Sequence, residues 1–165
     1  MSAPLHVAWL GLGSNLEAPA EQLSRALDEL ALEPSLRLLA VSGLYRTAPV
    51  GGPSGQPDFC NACVAVAADC NALELLTTTQ AIEQAHGRVR DVRWGPRTLD
   101  IDMLAFDDLV LSQARLTLPH PRAAERAFVL APLGEIAPAL VLDGERVIDR
   151  LSRVGRDGVE PWPSP

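Results

Sequence analysis

Residues 99–103 alternate without a break, Leu99-Asp100-Ile101-Asp102-Met103. Alternation at period two belongs to a strand that sets one face against a core and turns the other away from it. Leu99, Ile101 and Met103 would enter an apolar layer, and Asp100 and Asp102 would project together from the opposite face. Such a strand requires a sheet with one buried and one polar side, the usual condition of antiparallel sheets. Just before it, residues 88–97 carry four arginines, Arg88, Arg90, Arg93 and Arg97, in a chain whose formal net charge is -7. A local reversal of charge implies an anion met at that place.

The preceding chain supplies the rest of a sheet. Residues 7–12 are an apolar run entering a glycine turn at Gly11-Leu12-Gly13-Ser14-Asn15, with Ser14 or Asn15 tying the turn. The third glycine of a dinucleotide loop is missing, since position 16 is Leu. Leu23, Leu27 and Leu30 form a helical stripe bounded by Pro19 and Pro34. Residues 36–45 are expected as a second strand, and residues 47–57 as a loop rich in glycine and proline. Residues 59–68 form a third strand with Phe59, Asn61, Cys63 and Ala65 on one face. Asn71 and Glu74 make a capping box before the stripe Leu75, Thr79, Ile82, His86, and Gly87 supplies the helix C-cap.

Residues 98–106 are the fourth strand, with short extended pieces at 109–111 and 116–118. Residues 125–136 are expected to be a helix broken at Pro132, and 140–142 to pair with 147–151 around Asp143-Gly144. The order strand, helix, strand, strand, helix, strand is that of an α+β, ferredoxin-like βαββαβ antiparallel sheet with helices packed on one face. The other face would be open to a ligand, walled by residues 47–57 and 87–96.

At 165 residues, 47% hydrophobic and 21% charged, the chain is long enough for one domain, expected over residues 1–151. Residues 152–165, with three prolines near the end, are expected to form a loose tail. The acidic balance argues against nucleic acid or a membrane surface as partner. The absence of lysine excludes Schiff-base and P-loop chemistry. With no secretion signal and no apolar run near the ~20 residues of a membrane span, a cytoplasmic protein is expected. Three cysteines, Cys60, Cys63 and Cys70, fit reduced thiols. Cys60 and Cys63, at i, i+3 on a strand, would point to opposite faces and make no metal or redox pair.

Two carboxylates on a rigid strand are a hard-oxygen site of the kind Mg²⁺ takes together with waters and substrate phosphates, and a solvated strand edge is the alternative. Guanidinium groups in a row repel one another in a solvated loop, and a polyphosphate between them removes that repulsion. Cations, acidic metal ligands and a flexible lid together suggest phosphoryl transfer.

Arg93-Trp94-Gly95-Pro96-Arg97-Thr98-Leu99-Asp100-Ile101-Asp102 closely resembles the signature of the folate-pathway 6-hydroxymethyl-7,8-dihydropterin pyrophosphokinases. So do Gly13-Ser14-Asn15-Leu16, Tyr45-Arg46-Thr47, Gln56-Pro57-Asp58-Phe59 with Asn61, and Leu118-Pro119-His120-Pro121. The resemblance spans residues 7–151 and implies transfer of pyrophosphate from ATP to the hydroxymethyl group of the dihydropterin, with release of AMP. It implies two Mg²⁺ ions on Asp100 and Asp102, and charge stabilisation by Arg88 and Arg97. Glu83, Arg90, Arg93, Trp94, Arg115, Thr117, His120 and Arg126 would serve ATP. Thr47, Ala48, Val50, Phe59, Asn61, Trp94 and Phe128 would hold the pterin, stacked between the two phenylalanines. Ala48 and Pro121 depart from the family pattern, where a proline and an aromatic residue are common. A monomer is expected. The alternatives are another Mg²⁺-dependent phosphotransferase and a ferredoxin-like regulatory module that binds a small molecule.

Overall fold

The computed structural model describes residues 5–15, 18–48, 57–86 and 99–163. Of the expected loop 47–57, residues 49–56 lie outside the described residues, as do the whole of the expected loop 87–96, with the Gly87 cap, and residues 97–98. Strands β1 (His6–Ser14), β2 (Leu36–Val41), β3 (Tyr45–Thr47), β4 (Phe59–Ala68) and β5 (Asp100–Phe106) build the main sheet together with β10 (Val159–Pro161). Its order is β10-β3-β4-β1-β5, with β2 also paired to β4, and every pairing is antiparallel. Helices α1 (Pro19–Leu32) and α2 (Ala72–Ala85) complete the ferredoxin-like α+β arrangement.

Alternation sorts the side chains of the three central strands. Ala8, Leu10 and Leu12 on β1, Cys60, Ala62, Val64 and Val66 on β4, and Ile101 and Met103 on β5 join Leu23, Ala26, Leu30, Leu75 and Ile82 of α1 and α2 in one buried cluster. Pro19 opens α1, and the capping box closes as expected, with Asn71 N–H donating to Glu74 Oε1 at 3.0 Å and Glu74 N–H to Asn71 Oδ1 at 2.9 Å. Buried His86 ties the end of α2 to α1 through Gln22 Oε1 at 2.7 Å and Glu29 Oε1 at 2.9 Å.

Several elements differ from the sequence expectation. β1 runs to Ser14, so Gly11 and Gly13 sit inside a strand and not in a turn. The second strand divides at Ser42, whose Oγ accepts from Cys63 N–H at 2.9 Å and whose amide donates to Cys63 O at 2.9 Å. Helix α3 (Ala127–Ile136) passes through Pro132 unbroken: the ring removes only the bond to the Phe128 carbonyl. Residues 123–125 form a 3₁₀ turn before it.

Strands β6 (Leu111–Ser112) and β7 (Thr117–Leu118) pair in a hairpin, as do β8 (Val141–Leu142) and β9 (Glu145–Arg146). The latter turns through Asp143 at φ 49° and Gly144 at φ 85°, the left-handed pair of a tight hairpin. Residues 147–151, expected as a strand, instead begin helix α4 (Val147–Val154). Its buried residues Val147 and Leu151 stand four apart, on one helical face. Arg150 seals the hairpin against α4 by donating to the Leu142 and Asp143 carbonyls.

Two corrections affect the ligand face. Helices α3 and α4 bury Cys63, Leu104 and Ala105 in a second cluster, so that face is half covered and not open. Residues 152–163 are not a loose tail, because β10 pairs Val159 with Thr47 and Pro161 with Tyr45. Trp162 N–H donates to Leu44 O at 2.8 Å while its ring packs on the helix-side core. No helix among the described residues is long and apolar enough to cross a membrane.

Glu83, 4% exposed, accepts the Ile101 amide at 2.9 Å and so fixes the start of β5. Glu83→Ala leaves that buried N–H without this partner and should lower the unfolding free energy by about 2 kcal/mol in urea. Trp162→Ala should cost a similar amount, about 2 kcal/mol, because its ring is only partly buried. Amide hydrogen exchange should show the loss concentrated in β10 and β3.

Candidate functional site

Because helices claim one face of the sheet and α3 claims half of the other, the remaining half forms a cavity of about 1070 Å³. Its floor is made by the central strands. Gly13 lies between Asn61 on β4 and Asp100 on β5, and Gly11 lies between Cys63 and Asp102. All six residues line the cavity. Thr47 and Ala48 at the end of β3, with Phe59, form one wall. His120, Arg122, Arg126 and Phe128 rise before and at the start of α3, and Asp157, Gly158 and Val159 bring up the C-terminal segment.

Polar groups on the floor and walls are held in defined orientations. Asn61, buried, donates from Nδ2 to Thr47 Oγ1 at 2.7 Å. Asn15 Nδ2 donates to Pro57 O at 3.2 Å, tying the end of β1 to the segment before β4. His120 follows the cis Leu118–Pro119 bond, and its amide donates to Leu104 O at 2.9 Å. Its Nδ1 accepts the Arg122 N–H at 3.1 Å, which puts the ring proton on Nε2. Burial first, then the Arg126 and Arg122 guanidinium groups, hold the His120 imidazolium pKa below the usual 6.5, against the opposing pull of Asp100. Arg126 lies over the Phe128 ring, 5.6 Å from its centroid, a cation–π contact that keeps both groups at the rim.

Cys60 and Cys63 point to opposite faces, one in each buried cluster. Burial raises both thiols, that of Cys60 to about 12, so neither supplies a thiolate near neutral pH. Among the described residues no three His, Cys, Asp or Glu side chains gather as a metal cage. The paired carboxylates Asp100 and Asp102 on the cavity floor are instead a hard-oxygen donor set that suits Mg²⁺ when substrate phosphates and water complete its shell.

Of the residues expected to bind ligands, Asp100, Asp102, Thr47, Ala48, Phe59, Asn61, His120, Arg126 and Phe128 meet in this cavity. Glu83 does not line it and sits beneath β5 as a structural acceptor. Arg115 and Thr117, on the β6–β7 hairpin, are exposed and away from the lining. Val50, Arg88, Arg90, Arg93, Trp94 and Arg97 lie outside the described residues. No sequence signal marks Arg122 or Asp157 as lining residues, and Gly11 and Gly13 read in the sequence as a turn and not as a cavity floor. The i, i+2 spacing of Gly11 and Gly13 within an apolar run was the available signal, since glycine in a strand often marks close approach of a ligand or another group.

Residues 9–138 match the family model described as 7,8-dihydro-6-hydroxymethylpterin-pyrophosphokinase (HPPK). A 2-amino-4-hydroxy-6-hydroxymethyldihydropteridine pyrophosphokinase of Methylorubrum extorquens is 47% identical over 93% of this chain and 96% of its own length. The protein of the same name from Pseudomonas aeruginosa is 46% identical over 94% of this chain and 96% of its own. Among solved structures, Plasmodium falciparum HPPK-DHPS with pteroate superposes on 93% of this chain with a TM-score of 0.71 at 14% identity, a likeness of fold. This chain spans 45% of that longer one. With the family model covering most of its length and relatives near half identical end to end, the chain belongs to the HPPK family, pyrophosphate-transferring enzymes of folate biosynthesis.

Proposed function

We propose that the protein transfers the β,γ-pyrophosphoryl unit of ATP to the hydroxymethyl group of 6-hydroxymethyl-7,8-dihydropterin in a Mg²⁺-dependent reaction that releases AMP. The observation that carries this reading is the cavity floor, which sets Asp100 and Asp102 on β5 across β1 from Asn61, with Phe59 and Phe128 in the walls. A flat ring between the aromatic walls would offer its amide edge to Asn61 and its hydroxymethyl toward the aspartates.

The hydroxymethyl oxygen attacks the β-phosphorus, the bond from that phosphorus to the bridging oxygen breaks, and AMP leaves with that oxygen. Asp100 and Asp102 would hold two Mg²⁺ ions, which when bound would supply positive charge to neutralise the triphosphate. Asp102 is placed in this reading to take the hydroxyl proton as the new bond forms. Arg122 and Arg126 give the rim positive charge for the phosphates, and neutral His120 offers Nε2–H as a donor. Asn61, oriented by Thr47, holds the acceptor ring. By the family resemblance Arg88 and Arg97 stabilise the transferring group, while Arg90, Arg93 and Trp94 close over it and Val50 completes the pterin pocket. Glu83 acts on the site by fixing β5. We assign Arg115 and Thr117 to outer nucleotide contacts, and take the enzyme to act as a cytoplasmic monomer.

Incubation with ATP, the dihydropterin and Mg²⁺ should yield AMP by chromatography, and ADP or inorganic pyrophosphate in its place would overturn the assignment. Asp102→Ala should lower kcat on the order of a thousandfold. Arg93→Ala should lower it by less, since it acts in closure. The stability of the ligand-free protein should also depend on His120. Its folded pKa is depressed, so the unfolded chain binds the extra proton, and the stability present above pH 6.5 is lost as pH falls below that value. Urea denaturation across this range should show a flatter pH slope in His120→Gln than in the wild type.

A further inference from the structure

The bare backbone of β1 sits where the cavity floor is most crowded with polar groups. Gly13 has Asn61 as its cross-strand neighbour on one side and Asp100 on the other. A Cβ built on Gly13 would stand 3.0 Å from Asn61 Oδ1. At Gly11 the nearest neighbours are carbons of the Leu104 side chain at 3.5 Å or more, an ordinary contact. The amide of Asn61 cannot yield freely, because its nitrogen is held by Thr47 Oγ1 at 2.7 Å and the side chain is 7% exposed. A methyl at position 13 would therefore push the amide by a few tenths of an ångström, straining its bond to Thr47 or turning its oxygen toward the cavity.

We propose that Gly13 is a positioning residue for the acceptor: its missing side chain lets the Asn61 amide oxygen rest over β1, tethered to Thr47, and so sets where the pterin ring lies relative to Asp100. The inference rests on the pyrophosphokinase reading and extends it to a residue that makes its contribution through Asn61. Glycine in a central strand is otherwise a weakness, since alanine has the better strand propensity and a smaller entropy cost on folding. Gly13→Ala should consequently shift the thermal midpoint by only a few degrees, the gain from alanine offsetting the strain on the Asn61–Thr47 bond, while weakening acceptor binding.

The test is a double-mutant cycle on the whole chain, read by fluorescence titration of hydroxymethyl dihydropterin at saturating non-hydrolysable ATP analogue and Mg²⁺. Gly13→Ala should raise the pterin Kd about tenfold, the worth of one misaligned hydrogen bond. The Kd of the ATP analogue should stay within about twofold, and in the Asn61→Ala background Gly13→Ala should add less than about twofold because the displaced oxygen is gone. Equal shifts in both backgrounds would show that the methyl acts on the ligand directly, and no shift in the wild-type background would show that the space is not used. Either overturns the proposal, as does a larger fall in thermal midpoint with both ligands weakened, which assigns Gly13 a purely structural role. Failure of the wild type itself to bind the dihydropterin would instead remove the function on which the proposal stands.

Discussion

Everything in this protein depends on β1 being paired on both sides, to β4 along nine residues and to β5 along six. Backbone hydrogen bonds on two edges fix its register, and the register decides which side of every neighbouring residue faces which layer. A slip by one residue in β5 would carry Asp100 and Asp102 into the leucine-rich layer under α1 and α2, and Ile101 and Met103 into the cavity. Glu83 opposes such a slip from below by accepting the amide of Ile101. The catalytic carboxylates of the proposed reaction are thus held by the same bonds that hold the core.

The second face shows how a cavity can arise from incomplete covering. Cys63, Leu104 and Ala105 lie under α3 and α4, while Asn61, Asp100 and Asp102 lie on the floor of the cavity, whose described walls include Thr47, Phe59, His120, Arg122 and Phe128. Glycine at positions 11 and 13 lowers the floor at that point. The balance of charge is local: acidic side chains on the floor share the cavity with Arg122 and Arg126 on the rim, and in the proposed reaction this would let an acidic chain take a polyanion together with its cations. His120 is kept neutral at the same edge by burial and by those arginines, and its tautomer is set by a single backbone amide.

Much of this architecture is legible in the amino-acid sequence. The helix limits follow from Pro19, Pro34 and the Asn71/Glu74 box, because proline stereochemistry and capping hydrogen bonds act within one turn. The faces of β4 and β5 follow from period-two alternation, including the separation of Cys60 from Cys63. What escapes a sequence reading depends on distant partners. Gly11 and Gly13 carry turn-like composition, and only pairing with both β4 and β5 keeps them extended. Residues 147–151, Val-Ile-Asp-Arg-Leu, are a short mix of apolar and charged residues, compatible with strand or helix until β8, β9 and α3 give their buried face a place to dock. Pro132 is tolerated because the helix around it is buried against the sheet.

By itself the sequence determined the alternation that puts two carboxylates on one face of a strand, the bounds of α1 and the capped start of α2, and the motifs that resemble a pterin pyrophosphokinase. These rest on local chemistry: side-chain direction, capping and residue type are properties of a few consecutive residues. Only the tertiary structure decided that α3 and α4 close half of the second face, that β10 returns to pair with Thr47 and Tyr45, and that Gly13 separates Asn61 from Asp100. Those relations join residues dozens of positions apart, and no local preference encodes them. They exist because the strands pair in one register and the apolar faces left over must be covered.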